Sequence, residues 1–287
     1  MSDFFRFPHT PHIAWLGKGQ PRDDKVLAVD EADQFLREAV VLEEKVDGAN
    51  LGLSVGSNGT VRAQNRGQYL HIPYTGQFSR LNAWLASHES ALLDALGDKL
   101  ILFGEWVAAT HSIAYTNLPD FFVVFDVYDR CQRRFWSTAR RNALAERLGL
   151  TTIRSLGVGQ FLLADLKRRV LESSSAYRSG ACEGFYLRRE DADWLIARAK
   201  IVHPDFVQGI AEHWRSRALR WNSVGQTAAP ATAVPGARQG SCRLVSGDSL
   251  HKAGDSSHKD FDSLHKEAVA VPGSEKPAGP SLSRGRR

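Results

Sequence analysis

Cysteine is scarce in this sequence. Cys131, Cys182 and Cys242 are odd in number and share no metal-type spacing, so neither a disulfide framework nor a thiolate metal site is expected, and a reducing, cytoplasmic compartment is. Long apolar runs are missing as well. The longest, Phe121 to Phe125, is closed off by Asp120 and Asp126, well short of the roughly 18 residues that suggest a membrane span. The opening Met1-Ser2-Asp3-Phe4-Phe5-Arg6 has neither the basic region nor the apolar stretch of a secretory signal. Aromatic residues give out after Asn222: all seven tryptophans precede it, and Phe261 is the one aromatic beyond. A segment this rich in Ala, Gly, Ser and Pro cannot bury enough apolar area to offset the entropy of ordering it. The expected organisation is a folded domain over residues 1–225 and a disordered low-complexity tail over 226–287.

Nor is there a strong excess of positive charge where folding is expected. The net charge is +5, and the tail's nine Lys/Arg against six Asp/Glu account for +3 of it, so bulk charge does not argue for a nucleic-acid partner. Within the tail Asp-Ser-x-His-Lys recurs at Asp248, Asp255 and Asp262. This spacing carries at most one apolar position per heptad, too few for a coiled-coil seam, and reads as low-complexity duplication.

What is present suffices for a core, since 43% of the 287 residues are hydrophobic. Leu51, Leu53 and Val55 alternate ahead of Ser57-Asn58-Gly59, and Thr60 to Gln64 follows, the pattern of a tight hairpin. Lys99 to Val107 and Phe121 to Tyr128 read as strands, the second apolar on both faces and therefore central in its sheet. Glu183 to Arg188 and Trp194 to Val202 read as a strand pair across the turn Glu190-Asp191-Ala192-Asp193. Ser87 before Leu92, Leu93 and Leu96, and Ser137 before Leu144 and Leu148, with Gly97 and Gly149 behind them, predict two capped amphipathic helices. Phe206, Ile210 and Trp214 predict a last one. With no regular alternation of strand and helix, the expected class is α+β with mainly antiparallel sheets.

The chemistry centres on Glu44-Lys45-Val46-Asp47-Gly48-Ala49-Asn50. A lysine attacks only as the neutral amine, and at an ordinary pKa near 10.4 it is almost wholly protonated, so a nucleophilic lysine needs burial or nearby cations. On a strand Glu44 and Val46 point away from Lys45, while Asp47 shares its side. Alone, the tetrad is equally the mark of a surface lysine paired with Asp47 beside a turn. Taken singly, Phe125 reads as core, Glu105 and Glu183 as surface acids, and Arg188 and Arg189 as a solvated face. His9 and His12, three apart across Pro11, suit a turn rather than a helical ligand pair, and His203 before Pro204 suits a strand end.

The order of the motifs changes the reading. Lys45-Val46-Asp47-Gly48 is followed by Arg66 in Gln64-Asn65-Arg66-Gly67, by Gly104-Glu105 after an apolar run, by Phe125-Asp126, by Glu183-Gly184-Phe185, and by Arg198-Ala199-Lys200. This succession resembles the covalent nucleotidyltransferases, the polynucleotide ligases and mRNA capping enzymes. Glu44 ahead of the lysine, Asn50 after it, and Phe7-Pro8-His9-Thr10-Pro11-His12 near the start bring it closer to the RNA ligase family typified by phage RNA ligase 2. The resemblance runs over about residues 5 to 222.

The resemblance implies a nucleotidyltransferase (ATP-grasp-like) domain that uses ATP with Mg2+ or Mn2+. Lys45 is implied as the nucleophile that takes AMP as a phosphoramidate, with Asp47 and Asn50 orienting groups beside the reacting phosphate. Lys200 and Arg198, two apart and so on one face of a strand, are implied at the α-phosphate. Glu183 is implied at the metal, Arg66 at phosphate or the nucleic-acid end, Glu105 at the ribose hydroxyls, Phe125 stacked on adenine and Glu44 near the base. Cations gathered around Lys45 are expected to lower its pKa. The implied reaction joins 5′-phosphate and 3′-hydroxyl RNA ends, in RNA repair. A DNA ligase or a capping guanylyltransferase shares this lysine chemistry. A non-catalytic RNA-binding module of the same fold is a further alternative, marked by loss of Lys45, Glu183 or Lys200, and all three are present. The pattern departs from its relatives after Lys200, where about one helix is expected before the tail. The contacts of the usual second domain must then come from an accessory subunit, the N-terminal region or the insertion Arg66 to Arg80.

Overall fold

The structure, a computed structural model, describes residues 4–19, 21, 25–209 and 218–225. The chain divides into two units, Met1–Thr232 and Ala233–Arg287. The repeated pentad of the tail lies outside the described residues.

The first unit is built on two antiparallel sheets. One contains β1 (Val40–Lys45), β7 (Ser155–Gly159), β8 (Gly184–Glu190) and β9 (Leu195–Val202), in the order β7-β1-β8-β9. The other contains β2 (Ala49–Val55), β3 (Val61–Gln64), β4 (Leu100–Trp106), β5 (Phe122–Asp129) and β6 (Arg134–Phe135), in the order β3-β2-β4-β5-β6. Helices α1 (Val29–Leu36) and α5 (Leu163–Glu172) cover the outside of the first sheet, packing Phe35, Leu166 and Val170 on Leu42, Phe185, Leu187, Ala199 and Ile201. Helices α2 (Leu81–Ala86), α3 (Glu89–Leu96) and α4 (Thr138–Arg147) cover the second, packing Trp84, Leu92 and Leu144 on Leu51, Leu53, Leu102 and Val124. Burying one such Leu or Phe contributes roughly 1.5–3 kcal/mol. A short α6 (Pro204–Gly209) follows β9.

The two outer clusters decide what faces inward. Successive strand residues point to opposite sides, so with Leu42, Phe185, Leu187, Ala199 and Ile201 turned out to the helices, Glu43, Lys45, Tyr186, Arg188, Arg198 and Lys200 turn in. They meet the inner side of the second sheet, where Phe7, Val46, Phe103, Val123 and Phe125 form a third apolar cluster. A sheet whose interior face is largely charged is costly unless every group finds a partner. It does so here across the gap, through Arg141–Glu43 at 2.6 Å and Arg188–Asp126 at 2.7 Å.

Several expectations meet their outcome at this level. The hairpin β2–β3 forms with Gly59 at a φ of 73°, and Asn58 Oδ1 accepts from Thr60 N. Ser137 caps α4 through Arg140 N. Ser87 is no N-cap: Trp84 and Leu85 ahead of it carry an apolar face of their own, so α2 forms there and Ser87 ends it, while α3 begins at Glu89 without a side-chain cap. β5 is buried along nearly its whole length, yet it lies next to the two-residue edge strand β6, its outer face being covered by α4. Arg188 is not solvated but 3% exposed. His12 lies in no turn either: residues 11–13 run beside β9, with Lys200 N donating to Pro11 O and Ile13 N donating to Lys200 O. Of the predicted last helix, Ile210 and Trp214 lie outside the described residues.

Candidate active site

Lys45 closes β1 directly opposite Gly184 of β8. A methyl group on Gly184 would run into the backbone carbonyl of Ile201 on β9, so only glycine lets β8 start this close to its neighbour and carry Glu183 up to the amine. Lys45 Nζ donates to Glu183 Oε1 at 2.5 Å, with the two side chains 14% and 7% exposed. After β1 the chain turns. The Asp47 carboxylate accepts from Ser112 N at 2.7 Å and Ile113 N at 3.1 Å, and Asp47 N donates to the Tyr115 hydroxyl at 2.8 Å. Gly48 N donates to Glu105 Oε1 at 3.1 Å. A Cβ on Gly48 would sit 2.6 Å from the Trp106 carbonyl oxygen, which is the physical reason for glycine after the aspartate. Asn50 pairs with Glu105 across β2 and β4, and its buried Oδ1 has no hydrogen-bond partner among the described residues. Tyr186 places its ring 5.7 Å from Lys45 Nζ.

Acids, not cations, surround the amine. Burial pushes the Lys45 ammonium toward deprotonation, but Glu183, Tyr186, Glu105 and Asp47 outweigh it and hold the pKa well above the ordinary lysine value. The expectation of a lowered pKa is therefore corrected, because the positive charges of Lys200 and Arg66 act chiefly on Glu183, Glu105 and Tyr186 instead. Burial raises the partner acids in turn. Glu105 is pushed up to about 8, and Glu183 and Asp47 are raised against the pull of Lys45.

The remaining candidates divide. Glu44 points to the other side of β1 from Lys45, where Ala176 N donates to its Oε2 at 3.1 Å and Arg154 approaches to 3.6 Å. Arg198 shares a strand face with Lys200 but is drawn away from it, paired with Asp126 and lying over the rings of Phe7 and Phe135 at 4.8 and 4.1 Å. Phe125 sits at the irregularity where the register of β4 and β5 shifts. Its carbonyl accepts from both Arg141 and Arg188, and its ring packs 5.3 Å from Phe7. With Phe7, Glu43, Tyr186, Arg188 and Arg198 it lines a small cavity of about 20 Å³ between the sheets.

Sequence reasoning missed Tyr186, Tyr115, Glu43, Asp126 as an ion-pair acceptor, and Arg141. Tyr186 and Arg188 had a signal, since both alternate with Phe185 and Leu187 on one strand. Arg141 and Tyr115 had none, because a helix and a loop bring them from elsewhere.

Two facing antiparallel sheets with helices outside and a buried lysine between them define an α+β fold of the nucleotidyltransferase kind. The RNA ligase family matches residues 38–202, more than half of the chain, and the chain belongs to that family. A solved apo form of a Naegleria gruberi RNA ligase variant is similar at a TM-score of 0.52 and 12% identity, over 72% of this chain and 58% of that one. A second variant of that ligase, with ATP and Mn, is similar at 0.50 and 14%, over 61% and 53%. An archaeal ATP-dependent RNA ligase is similar at 0.44 and 21%, over 59% and 44%. The chain spans about half the length of the solved structures it matches. No curated protein matches the sequence.

Proposed function

We propose that the chain is an ATP-dependent RNA ligase that joins 5′-phosphate and 3′-hydroxyl RNA ends through lysyl-AMP, in RNA repair. The observation that carries this reading is the Lys45 amine at 2.5 Å from Glu183 between two sheets, with Asp47 and Glu105 brought beside it from separate elements. Nζ attacks the α-phosphorus of ATP, the N–P bond forming as the bond to the pyrophosphate oxygen breaks. Lys45 first gives up a proton, and Glu183 Oε1 is the acceptor in contact with it, its basicity raised by burial. AMP then passes to the RNA 5′-phosphate, and the 3′-hydroxyl displaces it to close the phosphodiester. Positioning and charge neutralisation supply most of the rate in such transfers.

We assign Lys200 to the α-phosphate, Glu105 to the ribose, Arg66 to phosphate or the RNA end, and Asp47 and Asn50 to orienting the reacting groups. Phe125 is assigned to the base, for which the small cavity beside it must widen. Arg198 holds Asp126, and so the wall of that cavity, rather than phosphate. Glu44, on the side of β1 away from Lys45, holds the loop at Ala176 rather than the base.

A divalent ion fits this site. Glu183 Oε2 is buried without a hydrogen-bond partner among the described residues, and its neighbours Asp47 and Glu105 offer only hard oxygen donors. Among the described residues no three His, Cys, Asp or Glu make a complete cage, which suits Mg2+ or Mn2+ held by one or two carboxylates with phosphate and water completing the shell. Bound there, the ion would neutralise phosphate charge and offset the acids that keep Lys45 protonated. Among the described residues no helix is long and apolar enough to cross a membrane, and Cys131 and Cys182 are free thiols, in keeping with a cytoplasmic setting.

The test uses α-labelled ATP with Mg2+. The full chain takes the label, and Lys45→Ala does not. With 5′-phosphate RNA, nicked or open, the wild type gives an adenylylated intermediate and then a sealed strand. Preferential labelling by GTP points to capping chemistry, sealing of DNA nicks alone to a DNA ligase, and undiminished RNA binding by an inert Lys45→Ala and an equally inert wild type to a binding module.

A further inference from the structure

The family match stops at residue 202, but residues 218–225 return to the site. They lie along the segment that follows β4. Thr110 N donates to Arg220 O at 2.8 Å, Asn222 N to Ala108 O at 2.9 Å, Ser223 N to Tyr115 O at 3.1 Å and Gly225 N to Leu118 O at 2.8 Å. At the centre is Asn222, 4% exposed. Its Oδ1 accepts from Thr110 Oγ1 at 2.8 Å and Tyr115 N at 2.9 Å, while its Nδ2 donates to Val107 O at 2.8 Å and Ala109 O at 3.3 Å. Both lone pairs and both N–H groups are in use. Neither a carboxylate nor a hydroxyl reproduces that pattern. The Arg80 guanidinium lies 4.1 Å over the Trp221 ring and braces the segment from the other side.

The segment held in this way is the one that holds Asp47, through Ser112 N, Ile113 N and the Tyr115 hydroxyl. Together with Arg220 it borders a cleft of about 570 Å³ lined also by Gln77, His111 and Ser112. Beside that open space, its position leans on the bonds it makes to residues 218–225.

We propose that residues 218–225 are a strap belonging to the active site, and that Asn222 is a positioning residue that acts on Asp47 through residues 107–115. The proposal rests on the lysyl-AMP reading for its effect on rate, but not for its effect on structure. Removing the Asn222 carboxamide leaves the buried carbonyls of Val107 and Ala109 without a donor. The Asp47 grip then loosens while the sheets stay intact.

The experiment compares the full wild-type chain with Asn222→Ala, Asp47→Ala and the double variant. Hydrogen exchange is read at Ser112 and Ile113, and self-adenylylation is read at saturating ATP. Asn222→Ala is expected to speed exchange at those two amides at least tenfold over wild type, with β4 and β8 unchanged. It is expected to slow labelling at least tenfold while the half-saturating ATP concentration moves less than threefold. On the Asp47→Ala background the second substitution adds nothing, as for residues acting through one another. Unchanged exchange at Ser112 and Ile113, or losses that multiply in the double variant, would overturn the strap. Should Asn222→Ala fail to fold, Thr110→Val removes one bond to Asn222 Oδ1 and is read in the same way. A wild-type chain that takes no label defeats the ligase reading and leaves exchange to decide the strap.

Discussion

Nζ of Lys45 and Oε1 of Glu183 are 2.5 Å apart although 138 positions separate them in the chain. The contact joins the end of β1 to the residue before β8, and in the lysyl-AMP mechanism proposed above the acid that holds the amine in its charged form is also the base that releases it.

Divalent-ion dependence follows from this pair. Chelation by EDTA is expected to abolish labelling of the chain by ATP, and added Mg2+ or Mn2+ to restore it. Glu183→Gln keeps the volume but removes the charge, and is expected to raise the metal concentration for half-maximal labelling at least tenfold. An unchanged metal requirement would take Glu183 out of the metal site.

Glu105 gives stability a pH dependence of definite sign. Burial raises its pKa from 4.5 to about 8, so between those values the folded chain keeps a proton that the unfolded chain has lost. Stability is then largest at the acid end of this window and falls as pH rises through it, by at most about 1.4 kcal/mol per pH unit for one group. Glu105→Gln is expected to flatten that part of the curve, as read by thermal unfolding at pH 5 and pH 8.

Arg188 binds three acids: Asp126 across the gap between sheets, Glu190 on its own strand and, at 3.9 Å, Glu43 on the neighbouring strand. Arg188→Ala would strand buried carboxylates and is expected to cost about 3–5 kcal/mol in urea unfolding. Arg147→Ala, an exposed change on α4, serves as the control and is expected to stay within about 1 kcal/mol.

Gly48→Ala puts a methyl group 2.6 Å from the Trp106 carbonyl. The backbone must move, and with it the N–H that Glu105 accepts. An overpacking cost of about 1–3 kcal/mol is expected, together with a loss of labelling larger than that of Gly67→Ala, whose Cβ would meet no atom nearer than 3.6 Å.

The sequence made the hairpin, the β8–β9 pair and the Lys45-Asp47-Gly48 turn legible because each depends on local alternation and turn chemistry. Its ordered motifs brought Lys45, Asp47, Glu105 and Glu183 to one place before any coordinate did. It misjudged Arg188 for a physical reason. A charged residue alternating with Leu187 on an antiparallel strand ordinarily faces water, and only the second sheet, 62 residues away in the chain for the Asp126 partner, turns that face into an interior. Residues 218–225 were out of reach for a similar reason, since Asn222 carries no pattern of its own and its partners lie more than 100 positions earlier.

The contact of residues 11–13 with β9 closes an edge. Pro11 O and Ile13 N both bond to the backbone of Lys200, on the strand that ends the order β7-β1-β8-β9, so a distant stretch of chain covers backbone groups that would otherwise be open to pairing with another molecule. A change that displaces residues 11–13 would bare that strand and invite association through it.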